Sequence, residues 1–159
     1  MATLQRAIEL AVQAHKDQED PPGEPYIVHP MRVMLSLPDE DHPLRMVGIL
    51  HDAVERGSLT LKRLRQEGFA KEIIRGVELM THEKEISHSD YIVRLKKHRL
   101  ARTVKIADLM DNSNLRFVEF RATKAEKDKK RVTRYALAYE FLTDRISEAT
   151  FRRLMQGEE

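Results

Sequence analysis

Cysteine is absent from the 159 residues, and so is tryptophan. The first absence excludes disulfides, thiolate nucleophiles and thiolate metal sites together, leaving histidine, aspartate and glutamate as candidate metal ligands. Glycine and proline are scarce at six each, and aromatic residues make up only 6%. With 41% hydrophobic content, that composition suits an all-α protein packed with Leu, Ile, Val, Ala and Met and holding almost no strand. A surplus of one charge is missing too: 28 lysines and arginines face 26 aspartates and glutamates, a net of +2. Attraction for an anion must therefore be local. No apolar run approaches the roughly 18 residues of a membrane span, and the opening MATLQRAIEL lacks the apolar stretch of a secretory signal. These features predict a cytoplasmic protein with no membrane partner. The length suits one domain over residues 1–159.

The pattern of apolar residues divides the chain into helices. Leu4, Ala7, Ile8, Ala11 and Val12 form one stripe behind Thr3, a plausible N-cap, and the stripe ends at His15. EDPPGEPYI breaks that helix, and HPMRVMLSL restarts it with His29 at the mouth. After PDEDHP, Pro43 opens a predicted helix through Leu44, Val47, Leu50 and Val54 that Gly57 terminates. A short helix from Thr60 to Gly68 and a stripe of Ile73, Ile74, Val77 and Met80 read as scaffold. DYIVRLKKH and RLARTVKIADLMDNSNL follow, and helices over about 124–156 close the bundle.

Within the third helix, GILHDAVERG sets His51 and Asp52 in an otherwise apolar run. Unpaired buried charge is costly, so such groups are normally neutralised, paired or bound to a metal. Helical spacing would put His51 and Glu55 on one face, with Asp52 about 100° around. In KIADLM and the residues after it, Lys105, Asp108 and Asn112 form a polar line beside Val104, Ala107 and Met110. His29, His51, Asp52 and Asp108 together would make a nitrogen and oxygen site suited to Mn²⁺, Fe²⁺ or Zn²⁺. Such an ion lowers the pKa of a bound water and offsets phosphoryl charge, and Glu55 would accept the water's proton. The same residues also fit histidines hydrogen-bonded in a core, because no local rule links His29 or Asp108 to His51.

The segments AHKDQ…GEPYIVHP, GILHDAVE and VKIADLMDN occur in the order and at about the spacing seen in HD-superfamily phosphohydrolases. Specifically, the chain resembles the hydrolase domain of Rel/Spo-type alarmone enzymes and their small stand-alone relatives, over roughly residues 4 to 116. RYALAYEFL is similar to the closing helix of the small forms. The resemblance implies a single-domain, all-helical HD-type bundle that hydrolyses the 3′-pyrophosphate of (p)ppGpp. It implies one metal ion, usually manganese, on His29, His51, Asp52 and Asp108, with Glu55 activating water and Asn112 near the nucleotide. Two positions depart from the pattern. HDxxED reads HDAVER, so Arg56 stands where an acid is usual. Asp20 lies near the place of a basic residue that helps hold guanine, and a carboxylate cannot reproduce cationic stacking.

The leading expectation is a metal-dependent phosphohydrolase acting on a small phosphorylated nucleotide. Glu55 and Arg56 are its candidate catalytic residues, and Lys105, Arg56, Asn112 and Lys16 its candidate substrate contacts. A phosphatase for another nucleotide is the near alternative. A nucleotide-binding module that lost turnover through Arg56 is a third reading. Nucleic-acid binding through Lys124, Lys127, Lys129, Lys130 and Arg131 is weaker, because Glu126 and Asp128 dilute that run and stacking aromatics are few. A homo-oligomer stays open. His42, His82, His88 and His98 receive no role, while His15 and Tyr91 read as packing residues.

Overall fold

The computed structural model describes residues 1–20, 23–114, 116 and 122–157. Among these, nine α-helices and one two-stranded ribbon follow in order. They are α1 (Leu4–Ala14), β1 (Glu19–Asp20), β2 (Glu24–Pro25), α2 (Val28–Leu35), α3 (His42–Leu50), α4 (Leu61–Gln66), α5 (Lys71–Met80), α6 (His88–Lys96), α7 (Arg99–Asn112), α8 (Ala125–Leu142) and α9 (Glu148–Met155). The all-helical expectation holds. No helix among the described residues is long and apolar enough to cross a membrane.

Polar side chains set the helix starts. Thr3, Asp41, Thr60, Ser87 and Ser147 accept hydrogen bonds from the backbone N–H groups of Arg6, Leu44, Arg63, Asp90 and Thr150. Each satisfies one of the N–H groups a helix start leaves unpaired, a contribution of about 1 kcal/mol. Helix α1 stops at His15 as the apolar stripe predicts. The break that follows is the ribbon, with Glu19 opposite Pro25 and Asp20 opposite Glu24; Pro21 and Pro22 lie outside the described residues.

Helix α3 differs from expectation. Its regular turns end at Leu50, and His51 to Arg56 form successive turns. The imidazole of His51 places Nδ1 2.8 Å from the Gly48 carbonyl, the acceptor that a continuing helix would offer to the Asp52 N–H. Such local side-chain bonds compete with the helical ladder. Ala53 N–H donates to the Leu50 carbonyl at 3.0 Å, an i to i+3 step in place of the helical one.

Helix α3 nonetheless forms the centre of the bundle, packing against α1, α2, α5 and α7. Val47, Ile49 and Leu50 are fully buried. At Gly48 a side chain would meet Leu37 Cδ1 at 2.7 Å and Met34 Cα at 3.3 Å, so this glycine is what lets α2 cross α3 closely. At the far end α8 and α9 pack through Phe141 and Phe151, whose rings stack at 4.7 Å. With α2, α3 and α7 thus in mutual contact, histidines and aspartates far apart in sequence meet.

Candidate metal centre and active-site pocket

His29 is the second residue of α2, His51 and Asp52 follow the end of α3, and Asp108 lies in the last turns of α7. Packing brings all four together. His29 Nε2 is 3.2 Å from Asp108 Oδ1 and 3.9 Å from Asp52 Oδ2. His51 Nε2 is 3.5 Å from Asp52 Oδ2 and 3.6 Å from Asp108 Oδ1. His29, His51 and Asp108 are buried, and their candidate ligand atoms lie within 4.8 Å of one another.

The spacing fits a shared ion. Neighbouring ligands bound at about 2.0–2.2 Å from a divalent cation sit roughly 3–3.6 Å apart. His51 Nε2 is buried and makes no hydrogen bond, a state that a folded chain rarely tolerates in a polar atom. Two imidazoles and two carboxylates suit a divalent cation, and ligand type alone does not choose among manganese, iron and zinc.

Further side chains hold the ligands in place. Asp108 Oδ2 receives the Lys105 ammonium at 2.8 Å and Oδ1 the Asn112 amide at 2.6 Å. Both residues expected at the substrate thus grip a candidate ligand, although both also line the cavity. The Tyr26 hydroxyl donates to Asp52 Oδ2, and Arg56 Nε lies 3.7 Å from the same oxygen. His29 Nδ1 meets Asp111 Oδ2 at 2.7 Å. His15 is buried; it bonds Gln18, whose amide donates to the Arg56 carbonyl and braces the turn that carries Asp52.

Charge follows from this packing. Burial would lower the pKa of His29, but Asp108 and Asp111 outweigh it and raise it to about 9. His51 is raised as well, burial being outweighed by Asp52 and Asp108. Burial would raise Asp108, yet the Lys105 ammonium and the two imidazoles hold it well below the ordinary carboxylate range. In Asp52 burial is likewise overcome, by the charge of His51, the Tyr26 hydroxyl and Arg56. The two carboxylates thus favour positive charge on the imidazoles or on an ion placed between them.

The cluster opens onto a cavity of about 550 Å³, within the range of small-molecule sites. His29, Asp52 and Asp108 line it with Glu55, Arg56, Lys105 and Asn112. Glu55 is not on a helical face with His51, because α3 has ended; its carboxylate instead accepts the His82 N–H at 2.7 Å. Lys16, the remaining expected phosphate contact, is not brought to the cluster. It is exposed in the turn after α1, where His15 takes the inward position, and it is not in the cavity lining.

Several lining residues escape sequence reasoning. Arg134 and Tyr135 come with Arg131 from α8, and His82 and His88 from the stretch around the start of α6, whereas Asp20 of the ribbon lines the cavity near where the sequence pattern puts it. Tyr91 is buried as expected, but it also lines the cavity and donates to the Met80 carbonyl at 2.7 Å. The i, i+3 relation of Asp108 to Asp111 was the one local signal that could have found the partner of His29.

No family model matches the chain. It is 31% identical over 128 residues to the human guanosine-3′,5′-bis(diphosphate) 3′-pyrophosphohydrolase MESH1, covering 70% of this chain and 68% of that protein. The chain belongs to the HD-type Rel/Spo-like hydrolase family. An Aquifex aeolicus guanosine-3′,5′-bis(diphosphate) 3′-pyrophosphohydrolase is 32% identical to this family member over 134 residues, covering 78% of this chain and 19% of that protein. This HD-type chain therefore spans about a fifth of that bacterial relative. A solved metazoan ortholog of SpoT, described as hydrolysing ppGpp, shares the HD-type fold with a TM-score of 0.69 at 19% identity, covering 99% of this chain and 96% of its own.

Proposed function

We propose that residues 1–159 form one HD-type unit that hydrolyses the 3′-pyrophosphate of a guanosine 3′,5′-bis(diphosphate), with one divalent ion, Mn²⁺ in first place, on His29, His51, Asp52 and Asp108. The observation that carries this is the convergence of those four side chains at a nucleotide-sized cavity, in a chain whose relatives are named for this activity. When bound, the ion supplies a lowered pKa for water and positive charge for a phosphoryl oxygen. The remaining work falls to side chains. Glu55 lines the cavity and accepts the attacking water's proton, with the His82 N–H fixing one of its oxygens. Arg56, with a half-exposed guanidinium beside Asp52, holds phosphate oxygens in its fork. Arg131 and Arg134 present further positive charge from α8. Lys105 and Asn112 hold one oxygen each of Asp108.

A second reading, a phosphatase for another phosphorylated nucleotide, is favoured by one observation: Asp20 and Arg56 both line the cavity, giving an acidic and a basic group where the family resemblance predicts the reverse. One assay separates the two. Purified Mn²⁺-loaded protein should convert ppGpp to GDP and pyrophosphate, and Asp52→Ala should not. Release of orthophosphate from another nucleotide in preference to ppGpp would favour the second reading. Equal rates in wild type and Asp52→Ala would overturn both.

A further inference from the structure

His29 turns one nitrogen toward the other candidate ligands and one away. Nε2 lies 3.2 Å from Asp108 Oδ1, and Nδ1 lies 2.7 Å from Asp111 Oδ2. Asp108 and Asp111 are three residues apart on α7, so one helix face offers a carboxylate to each side of the ring. Arg32, three residues after His29 on α2, closes the arrangement. Its Nε donates to Asp111 Oδ1 at 2.9 Å and its Nη2 to Oδ2 at 2.9 Å. Two parallel bonds of this kind fix the plane of a carboxylate as well as neutralising it.

A neutral imidazole carries one N–H, and the hydrogen bond made by one nitrogen decides what the other can do. An N–H on Nδ1 directed at Asp111 leaves the Nε2 lone pair facing Asp108 and Asp52. We propose that Asp111 is a positioning residue of the metal centre: it holds His29 in the Nδ1–H tautomer and ring orientation that present Nε2 to the cation, and Arg32 holds Asp111. Neither Asp111 nor Arg32 is in the cavity lining, so both act through His29 and not on the substrate. A carboxylate behind a ligating histidine also makes that histidine a stronger donor.

This inference rests on His29, His51, Asp52 and Asp108 being the ligand set, and its test separates the two claims. Chelator-treated full-length wild type, Asp52→Ala, Asp111→Asn and Asp111→Ala are titrated with Mn²⁺, and the free ion is followed by electron paramagnetic resonance. Thermal unfolding in EDTA checks that each variant folds. Wild type should bind one ion and Asp52→Ala should lose it. Asp111→Ala should bind roughly 10–100-fold more weakly. Asp111→Asn should fall between, because its amide oxygen still accepts the Nδ1–H without the charge. In the Zn²⁺-loaded protein, ¹⁵N histidine spectra should show His29 protonated on Nδ1 in wild type and a mixed tautomer in Asp111→Ala. Wild-type affinity in both Asp111 variants, with binding lost in Asp52→Ala, overturns the inference and leaves the ligand set standing. Failure of wild type to bind overturns the ligand set itself. If Asp111→Ala does not fold, Asp111→Asn decides alone: unchanged affinity overturns the proposal.

Discussion

Gly57 lies where the turn carrying Asp52 passes the end of α1, and replacing it with alanine links packing to the metal centre in one experiment. A methyl group there would sit 2.6 Å from the Ala53 carbonyl oxygen and 3.0 Å from both the Cβ and the carbonyl oxygen of Ala14. None of these atoms is the end of a flexible side chain, so backbone must move. The Ser58 N–H donates to the Ala14 carbonyl at 3.2 Å and the Gly57 N–H to the Asp52 carbonyl at 3.3 Å, and the movement stretches both. Overpacking of this kind costs about 1–3 kcal/mol. For a chain of this size each kcal/mol lowers Tm by roughly 2–4 °C, so Gly57→Ala should melt roughly 2–12 °C below wild type in EDTA. Gly157→Ala is the control, since among the described residues no non-neighbouring atom lies within 4 Å of the added methyl. Because the displaced backbone carries Asp52, Gly57→Ala should also bind Mn²⁺ more weakly. A wild-type melting temperature together with wild-type Mn²⁺ affinity would refute this reasoning.

Glu55→Gln keeps an oxygen for the His82 N–H, so its stability should stay within about 0.5 kcal/mol of wild type while kcat falls roughly 10²–10⁴-fold; an unchanged kcat on ppGpp removes Glu55 from the role of base. His88 is half-buried with its Nε2 shut off from water, and desolvation first, then the charges of Lys105 and Arg134, push its pKa from 6.5 down to about 3. Between these values the unfolded chain takes up a proton that the folded chain refuses, so stability is lost as pH falls, by up to about 1.4 kcal/mol per pH unit from this group. Urea unfolding between pH 7 and pH 4 should therefore be less pH-dependent in His88→Asn, and parallel curves would contradict this. Phe151 is fully buried and stacked on Phe141, so Phe151→Ala should cost about 3–5 kcal/mol in chemical denaturation, and a loss below about 1 kcal/mol would show that α9 is not part of the cooperative unit.

Apolar periodicity and capping residues are local signals, and they locate the helices well: Thr3, His15 and Thr60 mark the boundaries that the structure has. The end of α3 is illegible because it depends on where the His51 ring goes, with Nδ1 on the Gly48 carbonyl and Nε2 toward Asp108 of another helix. The four residues around the candidate ion are legible from their ligand chemistry and motif order, but their convergence is a product of α2, α3 and α7 packing together. Asp111 and Arg32 escape this pattern because the polar line that spacing suggests on α7 runs through Lys105, Asp108 and Asn112. The place of Arg131 and Arg134 of α8 in the cavity is not legible either, since no spacing rule tells one helix that its polar side lines a cavity built by others.

The central claim is that one divalent ion sits among His29, His51, Asp52 and Asp108. Anomalous diffraction from a crystal of the full chain grown with Mn²⁺ tests it directly. The account predicts a single strong peak about 2.0–2.3 Å from a donor atom of each of the four side chains. A peak held by other residues, or none at saturating Mn²⁺, would contradict it.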